Sequence, residues 1–162
     1  MTAHVLLIDD NPGFTDSIRE NFILHAIEIE TAGTWDEGVE KFRVGLHELV
    51  IADYNLPDSD HGLKLLAKIK PLRPSSELIL ISGAVTSVPE NQIIISGLVD
   101  AYFPKKADLP GILLERAKLA LERTKQPTNW TKTARAHVAG YEIDEKKIDD
   151  IDQLLRKNIK SE

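Results

Sequence analysis

Three unbroken apolar runs punctuate the chain, and each stops at polar residues. Val5-Leu6-Leu7-Ile8 ends at Asp9-Asp10, Leu49-Val50-Ile51-Ala52 at Asp53, and Leu78-Ile79-Leu80-Ile81 at Ser82-Gly83. Runs this short do not make free-standing helices and suit strands buried on both faces. Pro12 and Pro57 lack the N–H that a ladder needs, so the first and third strands end before them. Glu28-Ile29-Glu30-Thr31-Ala32 alternates polar and apolar, as an edge strand does, and residues 99–103 give a fifth strand.

Helical spacing fills the intervals. Phe14, Ile18, Phe22 and Ile23 follow Pro12 and predict a helix over 12–25, and Trp35, Val39 and Phe42 mark one face of a second. Leu63, Leu66 and Ile69 line a third, stopped by Pro71 and Pro74. Residues 89–97 predict only a short, marginal helix, because Ile93-Ile94-Ile95 is β-branched. Leu109 to Arg123 gives a fifth, with Leu113, Ala117, Ala120 and Leu121 inward. Strands alternating with helices imply right-handed βαβ units and an α/β fold. Five units fit a doubly wound, flavodoxin-like parallel sheet of order 2-1-3-4-5, whose ligands bind at the carboxyl edge.

The pattern changes after residue 125. Residues 126–143, with Pro127, Asn129 and Gly140, read as a linker. Over 144–162, Ile148, Ile151, Leu155 and Ile159 recur at spacings of three and four, with acids early and bases late, which predicts a C-terminal amphipathic helix. So narrow a stripe needs a surface, which could be its own domain, a second copy of the chain or an output partner; docking on its own domain or across a homodimer is favoured. The first unit, 1–125, is long enough to bury a core of its own.

Composition narrows the chemistry. There is no cysteine, which excludes disulfides, thiolate metal sites and cysteine nucleophiles. Residues 1–126 carry 13 Lys+Arg against 19 Asp+Glu, and residues 127–162 carry 7 of each, so neither part has the basic footprint of a nucleic-acid binder. No apolar run approaches the length of a membrane span, and the start lacks a signal-peptide pattern. The expectation is a cytoplasmic protein without nucleic-acid or membrane partners.

If the first and third strands are neighbours, Asp9, Asp10 and Asp53 converge on one crevice. Crowded carboxylates repel each other unless a cation is shared, and all-oxygen ligands favour Mg²⁺ before Ca²⁺. Each residue also has a plainer reading. Asp53 could cap the next turn, Asp9-Asp10 could cap the helix opened by Pro12, Lys105 could be a solvated charge, and Ser82-Gly83 an ordinary turn.

Four motifs in order, Asp9-Asp10, Asp53-x-x-x-Pro57, Ile81-Ser82-Gly83-Ala84 and Ala101-Tyr102-Phe103-Pro104-Lys105, resemble the response-regulator receiver domain of two-component systems over roughly residues 3 to 125. The resemblance implies that Asp53 accepts a phosphoryl group from a histidine kinase or phosphotransfer protein. It implies Mg²⁺ held by Asp9, Asp10, Asp53 and the backbone carbonyl of Asn55, with Lys105 and Ser82 meeting the phosphoryl oxygens and Tyr102 as an aromatic switch. It implies a signalling module more than an enzyme, promoting only its own phosphorylation and dephosphorylation and passing its signal to a downstream protein. Three positions depart from the family pattern: Gly62 stands five rather than four residues after Pro57, Lys106 replaces a frequent proline, and Ala84 offers no side chain to steer a hydrolytic water. The alternatives are a receiver-like interaction scaffold that works without phosphorylation, and a Mg²⁺-dependent phosphatase, whose Asp-x-Asp pattern fails at Asn11. The five histidines show no metal-ligand spacing.

Overall fold

The computed structural model describes residues 4–56, 69–83 and 99–125. Five strands, β1 (Val5–Ile8), β2 (Ile29–Ala32), β3 (Leu49–Asp53), β4 (Glu77–Ser82) and β5 (Ala101–Pro104), pair in parallel in the order β2-β1-β3-β4-β5. This is the flavodoxin-like order expected from the sequence. The helices α1 (Pro12–Leu24), α2 (Trp35–Val44) and α3 (Leu109–Lys125) connect or follow these strands.

Strand alternation divides the core in two. Leu6, Ile8, Val50, Ala52, Leu78 and Leu80 pack on one face with Trp35, Phe42 and Tyr102. Val5, Leu7, Leu49, Ile51, Ile79 and Ile81 pack on the other with Ile18, Phe22, Leu113 and Ala117. Every residue of β1 is fully buried, which is why that strand reads as an apolar run rather than an alternation. Gly38 lets α2 lie directly on β1: a Cβ there would meet Ile8 Cδ1 at 2.4 Å.

Caps set the helix limits. Asn11, not Asp9 or Asp10, is the N-cap of α1, its side-chain oxygen accepting the Phe14 N–H at 3.1 Å with Pro12 at the first helical position. Thr34 caps α2, and Glu37 reaches back to the Gly33 N–H at 2.8 Å. α1 stops at Leu24, one residue short of expectation, where Ala26 turns the chain through a positive φ of 57°.

β5 begins two residues later than the sequence suggests. The Asp100 carboxylate accepts the Leu78 N–H at 2.8 Å and holds Lys70 at 2.7 Å, so it works as a side-chain clamp before the ladder starts. Glu77, excluded from the apolar run, nevertheless begins β4. It is buried and neutralised by Arg116, 3.2 Å away, and by Arg123, both on α3. The expected helices through Leu63 and Leu66 and over 89–97, the linker 126–143 and the helix 144–162 lie outside the described residues, as do Gly62 and Ala84.

Candidate functional site

Strand register builds the site. Ile8 pairs with Ala52, so the residues that follow, Asp9 just past β1 and Asp53 at the last position of β3, stand side by side at the carboxyl edge. Ser82 pairs with Pro104, and the Lys105 N–H donates to the Ser82 carbonyl at 2.8 Å, which brings Lys105 to the same edge. Asp9 and Asp53 are buried and Asp10 is exposed. One carboxylate oxygen from each lies within 4.8 Å of the others.

Lys105 bridges the buried pair. Its Nζ lies 2.6 Å from Asp9 Oδ2 and donates to Asp53 Oδ2 at 2.7 Å. The Phe14 ring, at the start of α1, supports the ammonium from 4.5 Å. Each buried carboxylate has its other oxygen fixed by a backbone donor two residues on: Asp9 Oδ1 accepts the Asn11 N–H at 2.9 Å, and Asp53 Oδ1 the Asn55 N–H at 3.0 Å. The Asn55 side chain reaches across β3 and β4 and donates to Ser82 Oγ at 3.2 Å.

Burial pushes the Asp9 pKa up and the nearby Asp53 charge adds to it; the close Lys105 ammonium and the Asn11 N–H oppose without cancelling. For Lys105, burial is the largest single influence and works against the charge. The bonds to Asp53 and Asp9 and their negative charges together exceed it, so its pKa is raised and the ammonium is secure. Three carboxylates around one ammonium leave an excess of negative charge at the edge. Asp9 Oδ2 is buried and held by the ion pair alone, without a well-directed hydrogen bond. Hard oxygens, close spacing and excess charge fit a divalent cation.

Asp9, Asp10, Asp53, Asn55, Ser82 and Lys105 thus come together at one edge. Tyr102 does not line it; three residues before Lys105, it is buried in the core face shared with Trp35 and Phe42. The plainer readings fare unevenly. Asp53 does close a turn through Asn55, but its second oxygen faces Lys105, and Asp9 and Asp10 are not the helix cap. The Phe14 support and the Asn55–Ser82 bond were not foreseen. The sequence signals only that Phe14 is the first apolar residue of α1 and that Asn55 follows Asp53 by two.

Residues 5–116 match the family model of the response regulator receiver domain. The chain belongs to that family. Like other receivers it is a signalling module rather than a conventional enzyme, and its acidic pocket of Asp9, Asp10 and Asp53 is of the type found in phosphoaccepting receivers. A probable C4-dicarboxylate response regulator of Bacillus subtilis, DctR, is 30% identical over 125 residues, 75% of this chain and 52% of that protein. A CheY-like receiver domain protein from Methanospirillum hungatei is 29% identical with a TM-score of 0.66, covering 79% of this chain and all of the other. The response regulator TrrA of Thermotoga maritima, solved in complex with Mg(2+)-BeF, is 26% identical with a TM-score of 0.60, covering 72% of this chain and 96% of its own. This receiver spans about half or less of the length of the curated relatives it matches. Among its described residues no helix is long and apolar enough to cross a membrane.

Proposed function

We propose that Asp53 is the phosphoacceptor and that Mg²⁺ is the cation of the acidic pocket, held by Asp9, Asp10, Asp53 and the backbone carbonyl of Asn55. The observation that carries this reading is the Lys105 ammonium seated between Asp9 and Asp53, 2.6 and 2.7 Å from their oxygens. It is a charge at the place where a phosphoryl group arriving on Asp53 would need one. Asp53 Oδ2 attacks phosphorus in line, the bond from phosphorus to the donor atom breaks, and its electron pair leaves with the donor. Lys105 exchanges its contact with Asp53 Oδ2 for a phosphoryl oxygen. Ser82 gives up the Asn55 amide and turns its hydroxyl to another. Mg²⁺, when bound, supplies charge neutralisation for the remaining oxygens. Tyr102 is the aromatic whose packing responds to that rearrangement.

Receiver domains interact with histidine kinases, and the donor here is read as a histidine kinase or phosphotransfer protein of the cytoplasm. The output is read as a contact with a downstream protein. The chain divides into a receiver of residues 1–125, a linker of 126–143 and an amphipathic helix of 144–162. The test is intact mass after incubation with acetyl phosphate. One phosphate is expected with Mg²⁺, none with chelator, and none in Asp53→Asn, because an amide is not a competent nucleophile. An unmodified mass under all conditions would favour the phosphorylation-independent scaffold. Labelling that persists in Asp53→Asn would remove Asp53 from the role.

A further inference from the structure

The large apolar side chains left exposed among the described residues share one end of the molecule. They are Ile23, Leu24, Val44, Leu46, Leu72 and Leu119, with exposures from 50% to 83%. A helix that joins two parallel strands must run back from the carboxyl edge of the sheet to its amino edge. Ile23 and Leu24 close α1 just before β2, Val44 and Leu46 lie at and beyond the end of α2 before β3, and Leu72 precedes β4. These five therefore rim the amino edge, opposite the acidic pocket, and Leu119 is in the half of α3 that approaches it. They flank the sheet end from both sides, since α1 and α3 pack on one face and α2 on the other, and exposed large apolar side chains gathered at one edge are the material of a contact site.

The chain itself says what covers this rim. α3 ends at Lys125, at the same edge, and 37 residues follow. Residues 126–143 can reach up to about 60 Å when extended, enough to fold back anywhere on the domain. Residues 144–160 carry the stripe Ile148, Ile151, Leu155 and Ile159, and as a helix they would extend about 25 Å, enough to cross the base of a three-layer fold. A tether leaving from the rim holds that stripe at an effective concentration of about millimolar, well above what a second copy offers in dilute solution. We infer that residues 144–160 dock as an amphipathic helix across the amino-edge rim of their own receiver domain. Since the acidic pocket lies at the other edge, this docking is independent of phosphoacceptance by Asp53.

The absence of cysteine makes the test direct. Leu46→Cys with Ile151→Cys is compared with Gly111→Cys with Ile151→Cys; Gly111 is in the first turn of α3, at the opposite edge, with open space around its Cβ. The linker permits both closures but leaves from the edge that carries Leu46, so only a difference well beyond the few-fold effect of proximity reports docking. At low protein concentration the first pair is expected to form an intrachain disulfide at least about tenfold faster than the second, as tethered docking requires. In the cysteine-free chain, Leu24→Asp with Leu46→Asp should speed hydrogen exchange across 144–160 while leaving Val5–Ile8 and labelling by acetyl phosphate unchanged. Equal closure rates would overturn the inference, as would disulfides between chains, which would assign the rim to a second copy. Exchange in 144–160 that the aspartates do not alter would overturn it equally.

Discussion

Replacing Lys105 by methionine asks what the acidic pocket costs without its resident cation. Methionine keeps most of the side-chain length and removes the charge with its hydrogen-bond donors and its contact with the Phe14 ring. The ammonium lies 2.6 and 2.7 Å from oxygens of two buried carboxylates. At an effective dielectric constant of 20, each contact corresponds to about 6 kcal/mol of gross attraction. Most of that is offset by the cost of burying the ammonium, which the substitution returns. Removing one partner of a buried ion pair typically costs 3–5 kcal/mol, and with one fifth of this side chain exposed the expected loss is about 3 kcal/mol. In metal-free buffer the urea midpoint of Lys105→Met should therefore fall by about 1–2 M. A divalent cation then has two uncompensated carboxylates to bind. Mg²⁺ at ten times its dissociation constant would return about 1.4 kcal/mol by linkage, and the variant should gain more from Mg²⁺ than the parent does. The assay is urea unfolding followed by tryptophan fluorescence, with Trp35 buried in the core, in chelator and in millimolar Mg²⁺. Equal stability of variant and parent in chelator, or equal gains from Mg²⁺, would refute the reasoning.

Two further perturbations address the scaffold. Gly38→Ala should lower stability by about 1–3 kcal/mol despite alanine's better helix propensity, because its Cβ would press on the fully buried Ile8; thermal unfolding measures it, and an unchanged or raised melting temperature would contradict the close approach. His47 is buried and its pKa is depressed, chiefly by burial and against the opposing pull of Glu30, and its Nδ1 has no partner to receive a proton. The unfolded chain thus binds that proton more readily, so the His47 contribution is complete above the ordinary value of 6.5 and is lost as pH falls below it. Urea midpoints at pH 7 and 5 should show a steeper fall for the parent than for His47→Gln. Parallel slopes would contradict it.

How far the sequence reached depended on whether an interaction is local. β1 was legible to the residue, because all four of its positions are apolar and polar residues bound it. Asp9, Asp10, Asp53 and Lys105 were legible as a set, because parallel strand topology brings strand ends to one edge whatever the details between them. The start of β5 was misplaced because Asp100, polar and near the boundary, spends its carboxylate on Leu78, 22 residues away in sequence. Glu77 reads as a solvent-facing acid until the two arginines of α3 arrive. The Phe14 support of Lys105 and the Asn55 bond to Ser82 were invisible for the same reason. They join side chains that only the completed sheet makes neighbours.

The distribution of charge along the chain bears on how the domain assembles. Asp9, just past β1, and Asp53, at the end of β3, are both in place before β4, whereas the ammonium that neutralises them comes only after β5. A chain growing from its amino end creates the repulsion early and its remedy last. Until β5 docks, Asp9 and Asp53 face each other without the ammonium, so the repulsion falls on the partial structure. A fragment that stopped short of Lys105 would keep that repulsion. In this receiver the residue just past the final strand thus relieves a strain that the earlier strands create.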